Sequence, residues 1–390
     1  MKLKVLYMLP PTRSFAGIER VIHAVAAELV QQYGEQLDVS VLYMTTYEGM
    51  DRLVMPYRLI QRSVTTRTSL IRTMRSVALA ERYDLIIVPQ VEATVIAWLS
   101  CLGARRRMVV YLHGNPDREM RSAKARILFE TMRYVVLHRL AGVFGVSKMQ
   151  LAAFARAFPS RVAHYWLPNP VRRFPVPPPA KRAAGAPVTF VTVARLSYQK
   201  GQDHLLRAFA RVQAARPNVR LALVGYGEDE ALLRGEIARL GLDDRVSILY
   251  RPSDPGDVLA SSDIYVSPSR WEGWSLAICE ALRFGLPVIA TDCPFGPSDI
   301  LTDPRLGRLI PPDDEAALAA AMIEGHDRLA EEQAHRAYRM AHIDRYSVET
   351  VVADHAQAIM QVCQAGTRPD PVASPDWSRE AVPSAGGPGR

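Results

Sequence analysis

The chain has 390 residues, 48% hydrophobic and 23% charged, with a formal net charge of +8. At roughly 100 to 200 residues per domain this length holds two or three domains and excludes one small module, while the composition excludes collagen-like, coiled-coil and wholly disordered chains. The most apolar long stretch, Leu85 to Leu102, is broken by Pro89, Gln90 and Glu92, short of the roughly 20 clean apolar residues of a membrane span, and the run Val5 to Leu9 is shorter than the roughly 7 to 15 residues of a secretory core. A cytoplasmic protein is therefore expected.

In chain order, the first half shows strand-like apolar runs at Lys4 to Leu9, Val39 to Met44, Leu85 to Val88, Met108 to Leu112 and Val143 to Val146, with helical periodicity between them. The first strand leads through Pro10 to Ala16 into Gly17-Ile18-Glu19-Arg20 and a helix with Val21, Ile22, Val25, Ala26 and Leu29 apolar. Gly17 either lets an anionic ligand approach the N–H groups of a helix start or only makes the turn, since no GxGxxG pattern surrounds it. His113-Gly114-Asn115 follows the fourth strand. An imidazole at a strand's C-terminal edge can donate or accept a hydrogen bond near neutral pH, or serve as a satisfied structural residue. Asp117-Arg118-Glu119, the nearest approach to an acidic metal motif, does not directly follow a strand, so no metal site is expected. Cys101, Cys279, Cys293 and Cys363 show neither pairing nor metal spacing and read as buried small hydrophobes in a reducing compartment.

Charge is unevenly spread. Residues 1–180 carry 25 basic against 12 acidic side chains, and residues 181–390 carry 23 against 28. Arg52, Arg58, Arg62, Arg67, Arg72, Arg75 and Arg82 are opposed only by Glu81 in their stretch, so an anionic partner for the first half is expected. Seven prolines between Pro168 and Pro187 mark a linker. After Gly366 the chain is rich in Pro, Gly and Ser, a composition that does not offset ordering entropy.

The second half repeats the alternation, with strands at Val188 to Val193, Val219 to Val224, Val246 to Leu249, Ile264 to Val266 and Val288 to Ala290. Short apolar strands alternating with helices predict parallel sheets covered on both faces. The expected architecture is α/β: two Rossmann-like doubly wound domains facing an interdomain cleft, spanning 1–170 and 188–346. A linker at 171–187, a helix at 347–365 returning to the first domain and a disordered tail at 366–390 complete it. Ligands in such sheets bind beyond the C-terminal ends of the strands.

Three segments of the second half sit there. Ala194-Arg195-Leu196 and Gln199-Lys200-Gly201 lead into a helix, and two cations on such a loop suit a diphosphate, Arg as a planar fork and Lys as a point charge; the alternative is a solvated basic turn. Gly225-Tyr226-Gly227 reads as another strand-to-helix turn, with the acids at 228–230 capping the next helix. The segment Ser267 to Leu282 is the most informative. Glu272 and Gly273 form a turn, a helix begins near Ser275, and the N–H groups of Trp274, Ser275 and Leu276 lie at its positive end, suited to a diphosphate or a sugar hydroxyl. Glu280 could accept hydrogen bonds from ribose hydroxyls, unless both glutamates are ordinary surface charges.

These motifs resemble the retaining glycosyltransferases of family 4, the group 1 glycosyltransferases with the GT-B fold. The resemblance runs to about residue 364 and rests on Glu272-x7-Glu280 followed by Gly285 to Thr291, the Arg195/Lys200 loop, the glycine turn before Glu19-Arg20, and Pro168-Asn169-Pro170-Val171. Ala194 replaces the family's usual glycine. Asp292-Cys293-Pro294-Phe295-Gly296-Pro297-Ser298-Asp299 stands where many members have Gly-Gly and a glutamate, which leaves sugar recognition open.

The resemblance implies a retaining, metal-independent enzyme with no cofactor, moving a hexose or N-acetylhexosamine from a nucleotide sugar, UDP favoured over GDP, to a lipid-linked or cell-envelope glycan acceptor. Arg195 and Lys200 would bind the donor diphosphate, Glu280 the ribose, and Glu272 with the 274–276 backbone the transferred sugar, with Gly225 also at the donor. His113 would contact that sugar and Gly17 the phosphates or the acceptor. Basic amphipathic patterns at Thr68 to Ala80, with Arg67, Arg72 and Arg75, and at Arg118 to Leu140, with Arg121, suggest an anionic membrane surface on the cytoplasmic face of the inner membrane. Core-facing helices with solvated arginines would read the same way. An epimerase of the same fold and a catalytically silent subunit of a glycan-assembly complex are the rival readings, and no recognition motif supports nucleic-acid binding.

Overall fold

A computed structural model of the protein describes residues 2–12, 15, 17–47, 54–104, 106–114, 123–172, 183, 185–251 and 254–364. Arg118, Arg121, the Asp117-Arg118-Glu119 motif, most of the linker and the tail from residue 366 lie outside the described residues. The chain divides into two compact units, one containing residues up to Pro168 and again from Val352, the other Asn169–Val351.

The first unit is built on a parallel seven-stranded sheet of order β3-β2-β1-β4-β5-β6-β7. Its elements are β1 (Leu3–Leu9), α1 (Gly17–Tyr33), β2 (Leu37–Tyr43), β3 (Arg58–Gln61), α2 (Arg67–Ala80), β4 (Leu85–Pro89), α3 (Val91–Ser100), β5 (Met108–Leu112), α4 (Ala123–Thr131), β6 (Gly142–Gly145), α5 (Lys148–Ala157) and β7 (His164–Trp166). β1, β4 and β5 are buried nearly throughout because helices cover both faces, which is why they read as unbroken apolar runs. α1 turns Val21, Ile22, Val25, Ala26 and Leu29 inward, the stripe expected of a 3.6-residue period. The two strands that periodicity misses, β3 and β7, are the sheet's edges and are at best partly buried, so nothing selects an apolar run there. The second amphipathic pattern is one continuous helix only in part: after α4 the chain passes into a π turn at Met132–Val136 and a 3-10 turn at Leu137–Arg139.

The second unit has a parallel six-stranded sheet of order β10-β9-β8-β11-β12-β13. Its elements are β8 (Val188–Val193), α6 (Gln202–Ala215), β9 (Val219–Val224), α7 (Glu230–Arg239), β10 (Val246–Leu249), α8 (Gly256–Ala260), β11 (Ile264–Ser267), α9 (Leu276–Arg283), β12 (Val288–Thr291), α10 (Pro297–Ile300), β13 (Gly307–Ile310), α11 (Glu315–Asp327), α12 (Leu329–Ala334), α13 (Arg336–Ile343) and the start of α14 (Val348–Gln364). The edge strand β13 escaped the sequence reading for the same reason as β3 and β7. Strand order reverses between β8 and β11, and at such a switch point the loops part to leave a crevice.

All four cysteines are free and buried. Among the described residues no helix is long and apolar enough to cross a membrane.

Candidate active site

The loops leaving β8 and β11 flank the switch point of the second unit and are laced together. Gly201 adopts φ 66°, and a side chain there would put its Cβ 2.1 Å from the Pro268 carbonyl oxygen, so the positive φ and the close approach both require glycine. The Arg270 N–H donates to the Gln199 carbonyl (2.8 Å) and Gln199 Nε2 to that of Trp271 (2.9 Å). This lacing brings Lys200 and Glu272 together: Lys200 Nζ lies 2.6 Å from Glu272 Oε1, and Ser269 Oγ donates to the same oxygen at 2.7 Å. Ser269 is in turn held by Thr291, whose hydroxyl donates to its carbonyl. Arg195 sits in the same loop. Its carbonyl accepts from Gln202 Nε2 (2.8 Å), while its exposed guanidinium has no partner among the described residues.

α9 starts one residue past Ser275, which is its N-cap but makes no side-chain capping bond, so the N–H groups of the first turn depend on other acceptors. The Trp274 indole is buried edge-on against Tyr346, ring centroids 5.0 Å apart, so its backbone rather than its ring is the part available at the turn. Gly296, at φ 90°, leaves room for the Trp274 backbone, its missing Cβ falling 3.1 Å from Trp274 Cα. The Asp292 to Asp299 loop thus shapes the same turn. Glu280, on the fifth residue of α9, is 6% exposed and its Oε1 accepts from Arg172 Nε (3.0 Å) and Nη2 (2.8 Å). Sequence reasoning missed Arg172 because its partner is 108 residues away.

The neighbouring turn after β9 has a structural reason for its glycines. Cβ atoms on Gly225 and Gly227 would lie 1.9 Å from the Ala194 carbonyl oxygen and 2.2 Å from that of Leu196, so both serve backbone packing against the Arg195 loop. Asp229 occupies the N-cap of α7 without a side-chain capping bond, so the capping expected of residues 228–230 is not made by it. Tyr226 and Tyr250, 54% and 62% exposed, form an edge-to-face pair at 5.5 Å just beyond β9 and β10. No sequence motif marks them, since only strand order makes them neighbours.

In the first unit, His113 directly follows β5, with its ring 4.1 Å from that of Tyr111. The residue is partly exposed, yet its Nε2 is sealed and has no hydrogen-bond partner among the described residues. Burial, with the nearby His355, pushes its pKa down to about 3, so the ring is neutral. Gln150, fully buried, donates to the Gly114 carbonyl and accepts from the Val146 N–H at 3.2 Å, fixing the loop that carries His113. Gly17 opens α1 with clear space at its Cβ position, and beside it the buried Glu19 accepts from the Thr12 hydroxyl at 2.6 Å. On α2, Arg67, Arg72 and Arg75 are all exposed, but Arg75 Nη1 donates to the carbonyls of Ser100 (3.0 Å) and Leu102 (3.2 Å) and thereby caps the end of α3.

Residues 178–339 match the family described as glycosyl transferases group 1. The chain is 41% identical over 112 residues to an uncharacterized glycosyltransferase of Methanocaldococcus jannaschii, covering 29% of this chain and 28% of that protein. It is 30% identical over 237 residues to a GDP-mannose-dependent monoacylated alpha-(1-6)-phosphatidylinositol monomannoside mannosyltransferase of Corynebacterium glutamicum, covering 55% of this chain and 61% of that one. Neither alignment reaches two-thirds of the relative's length. The fold is that of Anabaena HepE crystallised with UDP and glucose, at TM-score 0.76 and 20% identity over 92% of this chain and 100% of that one. The segment 178–339 thus carries the group 1 glycosyl transferase pattern, within a chain of two Rossmann-like units that has the GT-B fold.

Proposed function

We propose that the protein is a retaining, metal-independent glycosyltransferase that moves a hexose or N-acetylhexosamine from a nucleotide sugar to a lipid-linked or cell-envelope glycan acceptor. The observation that carries this reading is the Lys200–Glu272 pair, at 2.6 Å, set at the switch point beside the start of α9. Cleaving a sugar–phosphate bond builds negative charge on the leaving diphosphate and positive character on the sugar. Preorganised donors at the diphosphate lower that barrier: Lys200, the uncommitted guanidinium of Arg195, and the first-turn N–H groups of α9 near Trp274, Ser275 and Leu276. These groups supply the neutralising charge, so the reading assigns no metal to the reaction.

Glu272 would hold hydroxyls of the transferred sugar and Glu280 those of the ribose, with Tyr226 and Tyr250 offering ring faces to the base. His113, kept neutral by burial, is retained as a proposed contact to the transferred sugar. The acceptor oxygen attacks the anomeric carbon from the face the phosphate leaves. The bond to the diphosphate breaks as the new glycosidic bond forms, and the acceptor proton passes to the departing phosphate oxygen.

A UDP donor is the first choice. The Corynebacterium relative's name specifies GDP-mannose and HepE was crystallised with UDP and glucose, so both nucleotides belong in the assay. Ile71 and Leu79 of α2, 47% and 42% exposed beside Arg67 and Arg72, support peripheral attachment to the cytoplasmic face of an anionic membrane. Release of UDP or GDP from a panel of nucleotide sugars, with and without membrane extract, tests the activity. A panel giving neither hydrolysis nor transfer would overturn it, and an inverted anomeric product would overturn retention.

A further inference from the structure

We propose that Arg172 is a positioning residue that holds the Glu280 carboxylate in the orientation required to accept the donor's ribose hydroxyls; this rests on the donor-site reading above. Two nitrogens of one planar guanidinium, Nε and Nη2, converge on Glu280 Oε1 at 3.0 and 2.8 Å. The Glu280 side chain is 8% exposed and that of Arg172 39%. A carboxylate so nearly sealed from water needs charged hydrogen-bond partners, and a rigid fork restricts its rotation where a lysine would act only as a point charge.

The backbone that presents Arg172 is fixed independently of the ion pair. Its neighbour Val171 forms a parallel bridge with Ser347 and donates its N–H to the Tyr346 carbonyl at 2.8 Å. The Tyr346 ring packs edge-on against Trp274, the residue that leads into α9, and α9 carries Glu280. Arg172 and Glu280 are therefore the closing link of a circuit running Val171, Tyr346, Trp274, α9. One consequence is that the carboxylate's direction is set from the Asn169–Arg172 segment rather than by helix α9 alone, which leaves a glutamate's three side-chain torsions undetermined.

The test is nucleotide binding by the full chain, measured by calorimetry with UDP, GDP and their 2′-deoxy counterparts. The unaltered protein should bind the ribonucleotide about tenfold or more tightly than its deoxy form, the size of one charge-assisted hydrogen bond. Arg172→Gln should reduce that ratio to about twofold, mainly by weakening ribonucleotide binding, with Arg172→Lys between the two. In a Glu280→Gln background Arg172→Gln should change nothing further. A ratio unchanged in Arg172→Gln, or equal loss for both nucleotides, overturns the positioning role while leaving the donor reading standing. If the unaltered protein binds neither UDP nor GDP, both readings fall. Melting temperatures separate these outcomes from unfolding, and if Arg172→Gln does not fold, the Lys variant decides by the same ratio.

Discussion

Glu272 Oε1 receives both the Lys200 ammonium, at 2.6 Å, and the Ser269 hydroxyl, at 2.7 Å, so one buried oxygen joins the loops on either side of the switch point. Removing the cation leaves a buried carboxylate uncompensated, which costs about 3 to 5 kcal/mol where such pairs are broken. Lys200→Ala is expected to lower the melting temperature and to reduce sugar transfer by at least about a hundredfold. Glu272→Gln keeps a hydrogen-bond acceptor for both partners and should melt closer to the unaltered protein while still losing transfer. A Lys200→Ala protein with full turnover would remove the diphosphate assignment.

Gly201 supplies the geometry beneath that pair. With φ at 66° and a Cβ that would lie 2.1 Å from the Pro268 carbonyl oxygen, alanine can be accommodated only by pushing the two loops apart. Backbone strain of this kind costs about 1 to 3 kcal/mol. Gly201→Ala should therefore impair turnover as well as stability, whereas Gly235→Ala on α7, where the added methyl meets nothing within 4 Å, should stabilise slightly. Thermal melts of the two variants provide the comparison.

The exposed Tyr226–Tyr250 pair gives a prediction of the opposite kind. Because these residues are 54% and 62% exposed, truncation removes little buried area. Tyr250→Ala should leave the melting temperature nearly unchanged. Base–aromatic stacking contributes about 1 to 3 kcal/mol, so UDP affinity should fall by roughly tenfold; unchanged affinity in a calorimetric titration would detach the pair from the donor site.

Acid should weaken the first unit through its buried imidazoles. His113 and His355 are both pushed down to about 3 by burial, against about 6.5 in an unfolded chain. Between those values the unfolded state binds protons the native state does not, so stability falls as pH drops below about 6.5, by up to about 1.4 kcal/mol per pH unit for each ring. His355→Phe should flatten the fall in melting temperature between pH 6.5 and 5; an unchanged slope would show that His355 does not titrate on unfolding.

The α2 surface separates arginines that sequence treats alike. All of Arg67, Ile71, Arg72 and Arg75 are exposed, but Arg75 is committed by hydrogen bonds to the end of α3. Co-sedimentation with vesicles containing phosphatidylglycerol should be salt-sensitive and should weaken in Arg67→Glu/Arg72→Glu and in Ile71→Glu. Arg75→Ala should instead lower the melting temperature. Equal binding by the unaltered and charge-reversed proteins would set aside the membrane surface.

Sequence alone determined the α/β class and the central strands, and it singled out the residues from which the proposed site is built. Central strands of a parallel sheet are buried on both faces and must be apolar, and a helix start after such a strand is written locally in glycines, turns and periodicity. The edge strands Arg58–Gln61, His164–Trp166 and Gly307–Ile310 were hidden because incomplete burial imposes weaker selection on their residues. Tertiary structure alone decided the partners. Lys200 meets Glu272, Gln150 meets Gly114 and Tyr226 meets Tyr250 because strand order in the sheets, not spacing in the chain, sets which loops lie side by side, and Arg172 meets Glu280 because the bridge of Val171 to Ser347 and the Tyr346–Trp274 contact hold its segment near α9. Hydrogen bonds and burial act over a few ångströms of space, and no local pattern encodes a neighbour 72 or 108 residues away.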